Sequence, residues 1–143
     1  MSDIRYLCGT LEVASERRQL IVDDGRLTHG FLVTGFTLWP TNGDDIGDMD
    51  CVVSTTGEGA VRPMYGEDTR QVGWGYCALA SQAAPMTTIL RPTEIILEEL
   101  FIVAFWNEGF TNGLNYLIEL TPITISDSHS ALVLINNKSQ DLS

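Results

Sequence analysis

The stretch Ile95–Trp106 reads I-I-L-E-E-L-F-I-V-A-F-W and is apolar everywhere except at Glu98 and Glu99. β-Branched and aromatic residues dominate it, and Pro92 and Gly109 bracket it. That enrichment favours a strand; the Glu pair keeps a helix over Thr93–Phe105 as the alternative. A strand this apolar on both faces needs cover on both. In a chain of 143 residues the cover is a second sheet, a partner subunit, or both. The Glu pair itself reads as a bulge or register device within the strand.

The remainder of the chain also reads as β. Ile4–Val13, Gln19–Val22, Gly30–Trp39, Cys51–Thr55, Thr87–Leu90, Leu114–Thr124 and Ala131–Asn136 are rich in strand formers and separated by turn residues such as Asp23-Asp24-Gly25. Gly35, inside an otherwise bulky strand, suggests a bulge. Arg70–Ala80 alternates with period two, Val72, Trp74 and Tyr76 against Gly73, Gly75 and Cys77. Its glycine face is expected to lie against other backbone or a bulky aromatic. The connector Asn107–Gly113 is expected to close a hairpin between its flanking strands. Ile95–Trp106 would then be the central strand of a C-terminal three-stranded core with Leu114–Thr124 and Ala131–Asn136. Eight to ten short antiparallel strands with Gly and Pro turns imply an all-β, single-domain β-sandwich or jelly-roll-like barrel over residues 1–136, with 137–143 a polar tail.

Charge restricts what such a domain binds. Nineteen Asp and Glu face eight Lys and Arg, Lys138 being the one lysine, for a net charge of −11. That field disfavours nucleic acid and anionic lipid as partners. No segment is long and apolar enough to be a membrane-spanning helix, and M-S-D-I-R-Y lacks the pattern of a signal peptide, so synthesis in the cytoplasm is expected. Cys8, Cys51 and Cys77 are odd in number and widely spaced, which predicts free, mostly buried thiols rather than disulfides or a zinc site.

The groups that could carry chemistry do not assemble into a recognisable pattern. Asp44–Asp50 clusters aspartates as a calcium loop does, but Ile46 stands where an oxygen ligand is needed and no Glu closes the loop. The favoured reading is a solvated acidic loop with no metal. Glu98 and Glu99 point to opposite faces of a strand, and only Glu119 on a neighbouring strand would complete a glycosidase-like pair. His29 and His129 sit near Ser and Asp residues, without the G-x-S-x-G turn of a nucleophile elbow. No phosphate-binding loop occurs, so no cofactor is expected. Trp39, Trp74 and Trp106 would suit a sugar-binding platform, the alternative of a β-sandwich carbohydrate-binding module, although Trp at strand positions more often packs in a core or interface. No catalytic residue is assigned.

Three segments, Gln19–Phe31, Asp68–Tyr76 and Tyr116–Leu142, resemble in wording the small β-rich structural proteins of tailed bacteriophages. The resemblance covers about a third of the chain and transfers no reactive residue. It implies a virion protein, a capsid decoration or cement protein first and a neck or tail component second. Its expected partners are the major capsid or other virion proteins. It further implies a homo-oligomer, a trimer by preference, to suit local threefold positions of a shell. Candidate interface elements are the Gly57–Asp68 loop, the Asn107–Gly113 connector and the strand Asp3–Val13. The candidate side chains are Arg17, Arg18, Trp106 and Phe110.

Overall fold

The computed structural model describes residues 4–23, 25, 29–41, 48–61, 64–77, 87–91, 94–106 and 113–124. They contain nine strands and no helix: β1 (Arg5–Leu11), β2 (Arg18–Ile21), β3 (His29–Pro40), β4 (Met49–Ser54), β5 (Gln71–Cys77), β6 (Thr87–Leu90), β7 (Ile95–Ile96), β8 (Glu99–Trp106) and β9 (Leu114–Thr124). All pairings are antiparallel. A four-stranded sheet runs β1-β9-β3-β7 and a five-stranded sheet runs β2-β8-β4-β5-β6. The chain is thus an all-β sandwich, with β6 of one sheet curling close to β3 of the other.

The core lies between the sheets. Phe31, Phe36 and Leu38 of β3 and Tyr116, Ile118 and Leu120 of β9 meet Cys51 and Val53 of β4 and Leu100, Ile102 and Ala104 of β8. Full burial of each large aliphatic among them stabilises the fold by about 1.5–3 kcal/mol. The glycines of β5 belong to this interface: a Cβ on Gly73 would touch Leu90, Val53 and Phe36, and one on Gly75 would fall within the Leu38 side chain. The glycines do face the core, against Leu90, Val53, Leu38 and Phe36. The expected alternation is corrected at Val72, which is buried in the same core rather than on the Trp74 side, because the β4–β5 register shifts beside it. The expected bulge at Gly35 is present too. The β3–β9 register shifts between Val33 and Gly35, and a Cβ on Gly35 would lie 2.9 Å from Cβ of Glu119.

The opening stretch is not one strand. Its first two residues form β7 and pair with Leu32 and Phe31 in the four-stranded sheet. From Glu99 onward it is β8, between β2 and β4 in the other sheet. The switch falls at Leu97-Glu98. There the Glu98 carbonyl accepts hydrogen bonds from the amides of Val22 (2.9 Å) and Asp23 (3.0 Å), which anchor the corner to the residues after β2. A strand that leaves one sheet for the facing one makes a corner of the sandwich. The Glu pair marks that corner rather than a bulge within one ladder.

The cover that β8 requires comes from the chain itself. Leu100, Ile102 and Ala104 face the four-stranded sheet. On the outer face Val103 packs with Val52 and with Ala60 of the loop after β4, flanked by Met64, Phe101 and Phe105. The expected C-terminal three-stranded core is corrected as well. β8 and β9 lie in opposite sheets, and β9 pairs instead with β1 and β3, so Asn107–Gly113 joins the two layers and closes no hairpin. Ala131–Asn136 and the tail 137–143 lie outside the described residues.

Candidate functional site

Two surfaces stand out, built in opposite ways. The first is the loop of residues 55–70 on the outer face of the five-stranded sheet, of which 62 and 63 are not described. It is organised by Gln71, a fully buried side chain at the start of β5. Its Nε2 donates to the carbonyls of Gly59 (3.1 Å) and Val61 (3.2 Å). Its Oε1 accepts from the Tyr65 amide (3.1 Å) and the Trp74 indole Nε1–H (2.9 Å). Two donors and two lone pairs are the whole capacity of a carboxamide, and all are used. Gln71 can reach the loop because the β4–β5 register shifts beside it, between Val53 and Ser54.

Ser54, Thr55 and Thr56 complete the anchor. Ser54 Oγ donates to the Arg70 carbonyl (3.0 Å) and accepts from the Thr56 amide (3.2 Å), and Thr56 Oγ1 accepts from the Gly59 amide (3.0 Å). At the loop's far end Asp68 takes a two-pronged contact from Arg70, Nε at 3.0 Å and Nη2 at 2.9 Å. The Arg70 guanidinium hydrogen-bonded to it holds the Asp68 carboxyl below its ordinary value, outweighing the opposing effect of partial burial. Arg91 lies over the Trp74 ring, 5.3 Å from guanidinium carbon to centroid, and donates to the carbonyls of Asp68 and Gly66. Arg17, an interface candidate, donates from Nη1 to the Gly57 carbonyl (2.8 Å) and ties the β1–β2 connection to this loop.

The second surface is the edge and outer face of the four-stranded sheet. β1 has a single strand partner among the described residues, β9. Ile4, Tyr6 and Cys8 alternate outward from it and are exposed, Tyr6 at 56%. The same face continues through Leu117 beside Cys8 and Thr37, and Asn115 beside Thr10 and Trp39. Trp39 is exposed too, at 43%. The one charge within β1, Arg5, turns inward: its guanidinium sits 5.2 Å from the Phe31 ring centroid and donates to the Val22 carbonyl.

The other candidates scatter. Arg18 begins β2 opposite Ile102 and is exposed. Trp106 is half-buried at the end of β8 and packs against the main core. Phe110 lies outside the described residues, as do His129 and 42–47 of the acidic loop. Trp39, Trp74 and Trp106 occupy the outer face of one sheet, the outer face of the other, and the core margin, so they make no common platform. Glu119 accepts from Thr34 Oγ1 (2.8 Å) on the outer face of the four-stranded sheet, whereas Glu99 is bonded to Gln19 on the outer face of the other. The two carboxylates cannot flank one bond. Among the described residues no group of three His, Cys, Asp or Glu could hold a metal ion. Cys51 is fully buried, which pushes its thiol far above the ordinary range and keeps it inert, while Cys8 is an exposed thiol.

Sequence reasoning missed Gln71. The only signal is a carboxamide at the head of a β5 pattern that otherwise alternates large and glycine, next to a Gly-rich loop. Together, the fold and these surfaces define an all-β sandwich with one internally bonded loop face and one sheet edge that no other described strand covers. No family model, curated protein or solved structure matches this chain.

Proposed function

We propose that the chain is a non-enzymatic virion structural protein. In this reading it is a capsid decoration or cement protein that binds a shell, through protein–protein contacts, as a homo-oligomer. The supporting observation is the β1 edge, seven residues long, with Ile4, Tyr6 and Cys8 exposed along it and Trp39 exposed on the same sheet. A protein that binds by area and strand pairing needs such an edge and no converging reactive groups. The net charge of −11 would keep it off packaged DNA and suit a basic or mixed-charge docking surface.

The test combines light scattering of the purified chain with co-sedimentation on empty tailed-phage capsids that lack it. Saturable binding by a defined trimer is the expected result. A large closed ring would move the chain to the neck or tail. A stable monomer with no affinity for any capsid lattice would overturn the reading.

A further inference from the structure

We infer that β1 is an acceptor for strand addition, and that its occupant is an extended segment of another protein with a neutral, alternating centre and basic residues at its ends. The inference deepens the assembly reading and rests on it for the source of the segment.

A comparison of sheet edges selects β1. β2 and β6 are four residues each and β7 is two, whereas β1 runs for seven. Short edges, outward charges, prolines and bulges are the usual guards against strand addition. β1 has no proline and pairs with β9 in unbroken register from Arg5–Leu120 to Leu11–Leu114. Arg5, its one charge, is spent inward on Phe31 and the Val22 carbonyl. In an antiparallel ladder, about half of an edge strand's amides and carbonyls point away from its partner, so β1 offers a row of groups that no other described strand pairs.

Apolar side chains collect at the same margin. Among the described residues Ile4, just before β1, Tyr6 on β1 and Val13, just after it, are exposed large hydrophobics. A strand added beside β1 would cover part of Ile4 and Tyr6, which a bare main-chain ladder alone would not explain.

Charge then chooses between occupants. Glu12 and Glu16 are exposed just beyond one end of β1, and Asp23 is exposed beside Val22, whose carbonyl Arg5 reaches from the other end. Of the nearby cations, Arg17 is bonded to Gly57 and Arg18 sits on the other sheet. A second copy paired antiparallel about Cys8 would bring Glu12 and Glu16 of each chain toward Asp23 of the other, carboxylate against carboxylate. A segment with Lys or Arg at both ends meets carboxylates at both ends instead. Rim charges of this kind contribute modestly and mainly set the choice of partner.

The experiment uses the full chain and dye-labelled peptides of about nine residues, enough to span β1. One has alternating Val and Thr with two Lys at each end, a second has Glu in place of Lys, and a third is the Lys peptide N-methylated at alternate positions. Fluorescence anisotropy should show the Lys peptide binding about tenfold tighter than the Glu peptide at low salt, with the difference shrinking at high salt. N-methylation should abolish binding. Tyr6→Lys, a change at an exposed position that leaves the core intact, should weaken the Lys peptide about tenfold or more. Equal binding of all three peptides, or Lys-peptide binding unmoved by Tyr6→Lys, would overturn the inference. So would a concentration-dependent dimer that Tyr6→Lys abolishes, because the occupant would then be a second copy. Binding to capsids without binding to peptides would sink this inference alone, and the reverse would sink the assembly reading alone.

Discussion

The loop of residues 55–70 and strand β1 both border a sheet, yet they treat their polar groups in opposite ways. The loop turns many of its amides and carbonyls inward, onto Gln71, Ser54, Thr56 and Arg91. Among the described residues β1 is paired along one side only, and it shows apolar side chains to solvent. The loop covers Val52 and Val103 and so finishes the fold. β1 ends the four-stranded sheet with no further strand among the described residues. An internally satisfied loop has little left to offer a partner, whereas an unfinished edge is a ready template for one.

The strongest way to break this contrast is at Gln71. Gln71→Leu keeps the volume but strands two carbonyls, an amide and the Trp74 indole N–H. Because each orphaned group costs about 1–3 kcal/mol and some will find water, a loss of roughly 3–4 kcal/mol is expected in urea unfolding. Trp74 fluorescence should shift to the red as the loop lifts. Gly75→Ala comes next. Its Cβ would displace Leu38 in the core, and overpacking of that kind costs about 1–3 kcal/mol, readable as a lower thermal midpoint.

A smaller effect separates the loop's ion pair from its buried hydrogen bonds. The Asp68 carboxyl titrates lower in the folded chain than its ordinary 3.8, held down by Arg70. Its contribution is therefore complete above that value and is lost as the pH falls through it toward the lower folded one. Asp68→Asn should flatten this part of the acid limb of a stability-versus-pH curve and leave the neutral-to-alkaline limb unchanged. The smallest stability effect is expected on the edge: Tyr6→Lys should change the unfolding free energy by no more than about 0.5 kcal/mol. The same substitution should nevertheless reduce capsid co-sedimentation, which separates a docking residue from a folding residue.

Much of the fold was legible in the residues because strand formation is local. Turn signals, β-branched runs, Gly35 and the glycine face of Gly73 and Gly75 all act over a few positions, and the structure has them. Sheet membership is not local. Nothing between Ile96 and Glu99 announces that the chain crosses from one layer to the other, since the anchor is the pair of amides of Val22 and Asp23, over 70 positions earlier. The same holds for Leu114–Thr124. Its neighbours are chosen by distant complementarity, such as the Tyr116 ring filling the space over Gly9, and not by the turn-rich connector that precedes it. Gln71 was invisible for a related reason: one carboxamide becomes a hub only when a loop folds back over it. Of the candidate contacts, Arg17 holds the loop, while the strand Asp3–Val13, an interface candidate from its sequence, contains β1, whose partner β9 lies more than 100 positions later.

The contrast between locked loop and bare edge is tested most directly by hydrogen exchange, followed by mass spectrometry, on the isolated chain at neutral pH. Roughly half of the β1 amides should exchange at the earliest times, and the amides of Thr55, Ala60 and Gln71, each bonded to a carbonyl in the loop, should persist far longer. Protection of the whole of Arg5–Leu11 to the level of the loop would mean that the edge is already covered, and would contradict the account.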